Sequence, residues 1–240
     1  ANTLQSCRDM IEAADNARVT LMVGQQLRYS PEARVVKRFI DEGNLGHIQA
    51  VRTHVMTMAT RKPWMNDAKY GGGILMLNSV HHIDLLRYYV GNVTRVMGMR
   101  RSLYPKMRNG AEDLVAATIE FENGAIGNIF GNWTTHLSPE PQSYIVFGSD
   151  GTLHSTIPET MERIERGAGS IMTSLKPTER NHQGSEIGTS IFRKTNNKTS
   201  RTPKFEPLLP IDIDLPTTNP IVNEILHFEE CCRNGKESSP

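Results

Sequence analysis

The sequence predicts an α+β (α/β two-layer) fold: a large, mostly antiparallel open sheet with helices on one face, preceded by the last helix and strand of a doubly wound α/β domain. Three observations carry this. A helical stretch runs at once into a short apolar run of β type at 19–24, VTLMVG, as a parallel α/β unit does. From residue 93 onward, strand pattern follows strand pattern, with turn signals at Asn123-Gly124 and Ser149-Asp150-Gly151. Between them lies 70–91, YGGGILMLNSVHHIDLLRYYVG, an oily helix behind three glycines.

In chain order, Thr3 or Asn2 caps a first helix running to about Ala17, with Leu4, Cys7, Ile11 and Ala14 on one stripe. The run at 19–24 reads as a buried parallel strand. Ser30 caps and Pro31 opens a second helix to about Glu42, with Val35, Val36, Phe39 and Ile40 on one face. Gly43 and Gly46 bracket a turn, and 47–58 alternates as a strand. Residues 61–73 form an irregular approach to the central helix, expected over 75–90 and stopped by Gly91. Strands are expected at 93–102, 114–120, 125–135, 143–147 and 152–156. Residues 166–207 turn polar and read as an insertion with short strands and a mobile loop. The last helix, 220–233, puts Ile221, Ile225 and Phe228 on one face.

Composition narrows the function. Charged residues make up 22% of the chain but nearly cancel, at a net charge of +1, so nothing calls for nucleic acid as a partner. No apolar run reaches a membrane span, and the N-terminus reads as neither signal nor transit peptide. Cys7 stands alone and Cys231 and Cys232 are adjacent, which makes no disulfide framework. A reducing, cytoplasmic location is the simpler expectation. No second Cys or His pair stands at ligand spacing, so no metal site is expected. The Asn-x-Thr triplets at Asn92, Asn132 and Asn197 are read as chance.

The chemistry concentrates on the central helix. Leu75, Val80, Ile83, Leu86 and Val90 share one face, and Asn78, His81 and Asp84 share the other with Ile74, Leu77, Leu85 and Tyr88. Buried Asn, His and Asp need partners or a cavity. Asn78 and His81 are three apart, as are His81 and Asp84, so each pair is within reach. The ordinary alternative is a satisfied core histidine. The glycines before the helix permit close backbone approach to a ligand, or merely a tight turn.

Several stretches carry a family resemblance in their order and spacing. These are VGQQLRYSP at 23–31, GNLGHIQAVR at 43–52, Trp64 followed by Gly71-Gly72-Gly73, His81-His82-Ile83-Asp84, Glu112-Asp113, NGAIG at 123–127 and GSDGTL at 148–153. The chain resembles the Gfo/Idh/MocA family of NAD(P)-dependent oxidoreductases, which act mostly on sugars, sugar derivatives and cyclitols. The resemblance implies a Rossmann domain whose tail is residues 1–30, then a substrate-binding and oligomerisation domain at 31–240. It implies a homo-oligomer built through the open sheet face. The family's G-x-G-x-x-G fingerprint and Glu-Lys-Pro motif are absent from this sequence, so the chain is expected to be incomplete for catalysis.

The resemblance also implies roles. His81 matches the family's catalytic His. Leu77 stands where the family often has Asp, and Asn78 is the nearest polar stand-in. NAD or NADP is the implied cofactor and a polyol or sugar the implied substrate. His81 would be the general acid/base, because imidazole titrates in the range that alcohol oxidation needs. Asn78 would orient His81 or the substrate hydroxyl. Asp84 would support the helix or His81, or meet the substrate. His82 is given a structural or substrate-rim role. Arg28 and Trp64 are the expected cofactor contacts and Tyr29 a substrate contact. Lys62 and Asp67 are weaker candidates, and Glu112-Asp113 is expected to be structural. The competing reading is a non-catalytic substrate-binding or oligomerisation domain, because no phosphate cradle is present. An NAD-dependent glycosidase is a third.

Overall fold

The computed structural model describes residues 2–56, 62–133, 142–156, 170–173, 209–210 and 219–235. The expected strand ends at 57–58 and 134–135 lie outside the described residues, as does all but one short strand of the polar 166–207 segment.

Helix α1 spans Leu4–Ala17, its first turn closed by Thr3, whose hydroxyl accepts from the Ser6 backbone N–H. Its stripe has little to pack on: only Ala14 is buried, while Leu4, Met10 and Ile11 stand exposed. Residues 19–24 lie in no strand of the described sheet, which corrects the expected buried parallel strand. Val19 is 60% and Val23 64% exposed. The physical reason is that a parallel strand exists only between neighbours, and among the described residues the chain supplies none there. A tight 3₁₀ turn at Gln26–Tyr29 follows.

Helix α2, Pro31–Asp41, begins as the sequence dictates. The Ser30 hydroxyl accepts from Ala33 N–H, and Pro31 occupies a first-turn position where its missing N–H costs nothing. Ala33, Val36 and Phe39 form its buried face.

Among the described residues the sheet has eight strands, in the order β2-β3-β4-β1-β5-β6-β7-β8. They are β1 (Ile48–Met56), β2 (Val93–Arg101), β3 (Leu114–Phe121), β4 (Ile126–Asn132), β5 (Ser143–Gly148), β6 (Thr152–Thr156), β7 (Ser170–Thr173) and β8 (Leu209–Pro210). β1 lies inside, parallel to β4 with Thr53 opposite Ile129 and antiparallel to β5 with Thr53 opposite Tyr144. All other neighbours are antiparallel. The Asn123-Gly124 hairpin joins β3 to β4, with Gly124 at φ +82°.

One face carries the core. Val36 and Phe39 from α2 meet Leu85, Leu86 and Tyr89 from α3 (Val80–Val90), over Val51, Ile119, Ile129, Tyr144 and Val146 of the sheet. A second, smaller cluster of Val55, Ile74, Val115 and Trp133 lies near the start of the central helix. On the opposite sheet face Met97, Met99 and Ile126 are each more than half exposed and Phe147 is 37% exposed. The last helix, α4 (Pro220–Asn234), turns the other way from expectation. Ile221 and Ile225 face out, Phe228 is partly buried, and the side holding Glu224, His227 and Cys231 faces the body. These three sit at helical spacing, so one stripe of α4 lies along the 26–29 turn.

Candidate functional site

The central helix begins with a π-helical turn, Leu75–Ser79, before α3 proper. A π turn adds about one residue, so it shifts the helical phase between Asn78 and His81. The deepest side chains of α3 are His82, Leu85, Leu86 and Tyr89, while Ile83 and Val90 pack only partly buried against the core. The expected apolar stripe is thus rotated.

The glycines before this helix serve its start. Gly73 has φ +115°, and a Cβ there would stand 2.5 Å from a carboxylate oxygen of Glu112. That carboxylate accepts from Leu75 N–H at 2.9 Å, and the Glu112 backbone carbonyl accepts from Ile74 N–H. Glu112 therefore caps the helix. Asp113, fully buried, accepts from the N–H groups of Leu103 and Tyr104.

His81 is half-buried at the exposed side of the helix, and its Nδ1 lies 2.9 Å from Gln25 Oε1. An amide oxygen only accepts, so Nδ1–H donates. Burial pushes the ring pKa below its ordinary value, against a smaller opposing pull from the Asp84 charge. Asn78 hydrogen-bonds Trp133, accepting from its indole N–H at 2.9 Å, rather than His81.

Asp84 takes both ends of the Arg28 guanidinium at 2.5 Å each. Arg28 is 8% exposed and also stacks over the Tyr88 ring, 5.0 Å from its centroid. The pair bolts the 26–29 turn to α3. Tyr29 is half-buried, 5.7 Å from the His227 ring of α4, and its pKa is raised by burial and then by the nearby Glu224 charge. Glu224 itself is raised, chiefly by burial, against the downward pull of the Gln25 backbone N–H. A Cβ at Gly24 would come 3.2 Å from its carboxylate.

His82 points inward. It is 2% exposed, with Nδ1 2.8 Å from Thr53 Oγ1, Nε2 3.2 Å from Gln142 Oε1, and its ring against Tyr144. Burial pushes its pKa down to about 3. Trp64 is 45% exposed in the approach loop, and Asp67 caps the next turn through Lys69 N–H and accepts from the Asn109 amide. The structure thus groups Gln25, Arg28, Tyr29, His81, Asp84 and Glu224, turns Asn78 toward Trp133 and His82 into the core, and leaves Trp64 exposed in the approach loop. Gln25, Trp133 and Glu224 were missed in the sequence. Only Gln25, the first polar residue after an apolar run, carried any signal.

Among the described residues, no group of three or more His, Cys, Asp or Glu is placed to hold a metal. No described helix is long and apolar enough to cross a membrane.

A two-layer α+β domain with a half-buried imidazole at the edge of its helical layer is the class that fold and site define. Residues 33–154, just over half of the chain, match the GFO/IDH/MocA C-terminal domain, and the chain belongs to that family. Among its relatives, the uncharacterized oxidoreductase YrbE of Bacillus subtilis is 28% identical over 156 residues, covering 62% of this chain and 44% of that protein. The scyllo-inositol 2-dehydrogenase (NAD(+)) of the same organism is 24% identical over 98% of this chain and 58% of its own length. The WlbA dehydrogenase of Bordetella pertussis, solved with NADH and UDP-GlcNAcA, superposes with a TM-score of 0.60 at 28% identity, covering 64% of this chain and 49% of that one. The chain spans about half the length of the curated relatives it matches.

Proposed function

We propose that this chain is the substrate-side part of an NAD(P)-dependent oxidoreductase acting on a sugar, sugar derivative or cyclitol, with His81 as general acid/base. The observation that supports it is a half-buried imidazole whose Nδ1 is engaged by Gln25 and whose pKa burial lowers. Such a ring leaves Nε2 to take the proton of a secondary alcohol, and to return it to a carbonyl oxygen in the reverse direction. NAD or NADP, when bound, supplies the hydride acceptor.

The described part of this chain does not fit the cofactor's phosphates. Helices α1, α2 and α4 start on their own caps at Thr3, Ser30 and Asn219, and the start behind the three glycines is taken by the Glu112 carboxylate. A negative charge there repels phosphate rather than cradling it. We therefore assign residues 1–30 to the tail of the nucleotide-binding domain and 31–240 to substrate binding and assembly. Trp64, half exposed, is the chain's candidate for lining the nicotinamide side, and Tyr29 for the substrate side. Arg28 is committed to Asp84, so the role proposed for both is to hold the 26–29 turn rather than to bind ligand. His82 is proposed as structural, for both its ring nitrogens are engaged in the core. Asn78 acts on the helix start through Trp133. We further propose self-association through the open sheet face, where Met97, Met99, Ile126 and Phe147 are exposed together.

The test uses the complete oxidoreductase, assayed with NAD+ and NADP+ against a panel of cyclitols, sugars and their acids. His81→Ala is expected to lower kcat by about 10²–10⁴-fold. A variant that keeps its rate removes the reading. In the second arm, the 240-residue chain alone is expected to show no shift in Tm with NADH or NADPH, as an assembly and substrate domain would.

A further inference from the structure

We propose that Gln25 is the positioning residue of His81: its side-chain oxygen accepts a hydrogen bond from Nδ1–H and leaves Nε2 bare toward a substrate hydroxyl. This rests on His81 being the acid–base group. The geometry narrows the choice of partner. Leu77, four residues before His81, is apolar. Asn78 is engaged by the Trp133 indole and Asp84 by the Arg28 guanidinium. Gln25 Oε1, at 2.9 Å, is the polar atom that meets the ring.

Gln25 is itself held. Its carbonyl accepts from Arg28 N–H at 3.1 Å, closing the 3₁₀ turn that Arg28 then pins to α3. On the other side the Glu224 carboxylate of α4 packs against the Gly24–Gln25 backbone. The amide therefore arrives at His81 from a segment clamped between two helices.

The chemistry follows from what an amide lacks. A carboxylate behind an imidazole would stabilise its protonated form by charge, whereas an amide oxygen fixes the tautomer with little pull on the pKa. In the oxidation direction the alcohol O–H bond breaks, its proton forms the new Nε2–H bond and the ring becomes imidazolium, while the electron pair left on oxygen forms the carbonyl as the carbon gives up its hydride. Gln25 accepts from Nδ1–H before and after, and no proton moves to it. Of the charged groups nearby, Asp84 acts on the ring, raising its pKa against burial, while Arg28 pairs with that carboxylate and Glu224 lies against the Gly24–Gln25 backbone.

The experiment is long-range ¹H–¹⁵N NMR on the 240-residue chain with ring-labelled histidine, at a pH where His81 is neutral, the signal being assigned by its loss in His81→Ala. The expected result is a protonated Nδ1 and a bare Nε2. Gln25→Leu is expected to turn the ring to the Nε2–H form. Gln25→Glu is expected to keep Nδ1–H and raise the His81 pKa by about one unit. An Nε2–H ring in the wild type overturns the proposal, as does a tautomer unmoved by Gln25→Leu. In the complete enzyme, Gln25→Leu should cut kcat roughly 10–100-fold with KM within about twofold; an unchanged kcat overturns the positioning role. If instead His81→Ala keeps its rate while the wild-type ring is Nδ1–H, the function fails and the pairing stands.

Discussion

His82 and His81 are adjacent in sequence and opposite in circumstance. His82 is shut in the core with its pKa near 3, so the fold stabilises only its neutral form. That stabilisation is complete above pH 6.5, the ordinary value for the ring, and is lost as pH falls from there toward 3. At its limit the loss is about 5 kcal/mol. His82→Gln should therefore flatten the urea midpoint between pH 6.5 and 4, where the wild type falls steeply. His81, only half-buried, is lowered by burial but opposed by Asp84. Helical spacing made His81 and Asp84 legible as neighbours. It did not show that Gln25, 56 positions away, meets the ring, because that contact is made by the fold rather than by the helix. Nor did it show Trp133 reaching Asn78, since a π turn cannot be read from a pattern tuned to an α period.

At the scale of elements, the 26–29 turn and α3 are joined by the Arg28–Asp84 pair, with side chains 9% and 12% exposed. Removing the cation alone strands a carboxylate in a poorly hydrated place. Arg28→Leu is expected to cost about 3–5 kcal/mol in chemical denaturation, and Arg28→Leu with Asp84→Leu together less than that. A double variant as unstable as the single one would mean that the pair matters for shape rather than charge. Elements built on local rules were legible: Ser30 and Pro31 start α2, and Asn123-Gly124 turns β3 into β4. Two were not. The 19–24 run has strand composition but pairs with no strand among the described residues, and strand pairing is decided elsewhere in the chain. α4 has an apolar stripe, yet the contacts from Tyr29 and Gly24 turn its Glu224, His227 and Cys231 side inward.

Across the whole molecule, the α+β class was legible because hairpin signals and alternation add up over many strands. The place of β1 between β4 and β5 was not, since nothing local encodes which distant strand lies beside it. The open face offers the test of assembly: Met97→Lys with Met99→Lys should shift the chain toward monomer in analytical ultracentrifugation while leaving its circular dichroism unchanged. The same interior strand has a consequence for biogenesis. Ala50 faces Ile126, about 75 positions further on, and Val51 faces Val146, later still. At a translation rate of about 5–20 residues per second, β1 leaves the ribosome several seconds before either companion exists. During that wait Ile48, Val51 and Val55 lie bare on a nascent polypeptide, and the moment of greatest hazard for this protein falls before its synthesis is finished.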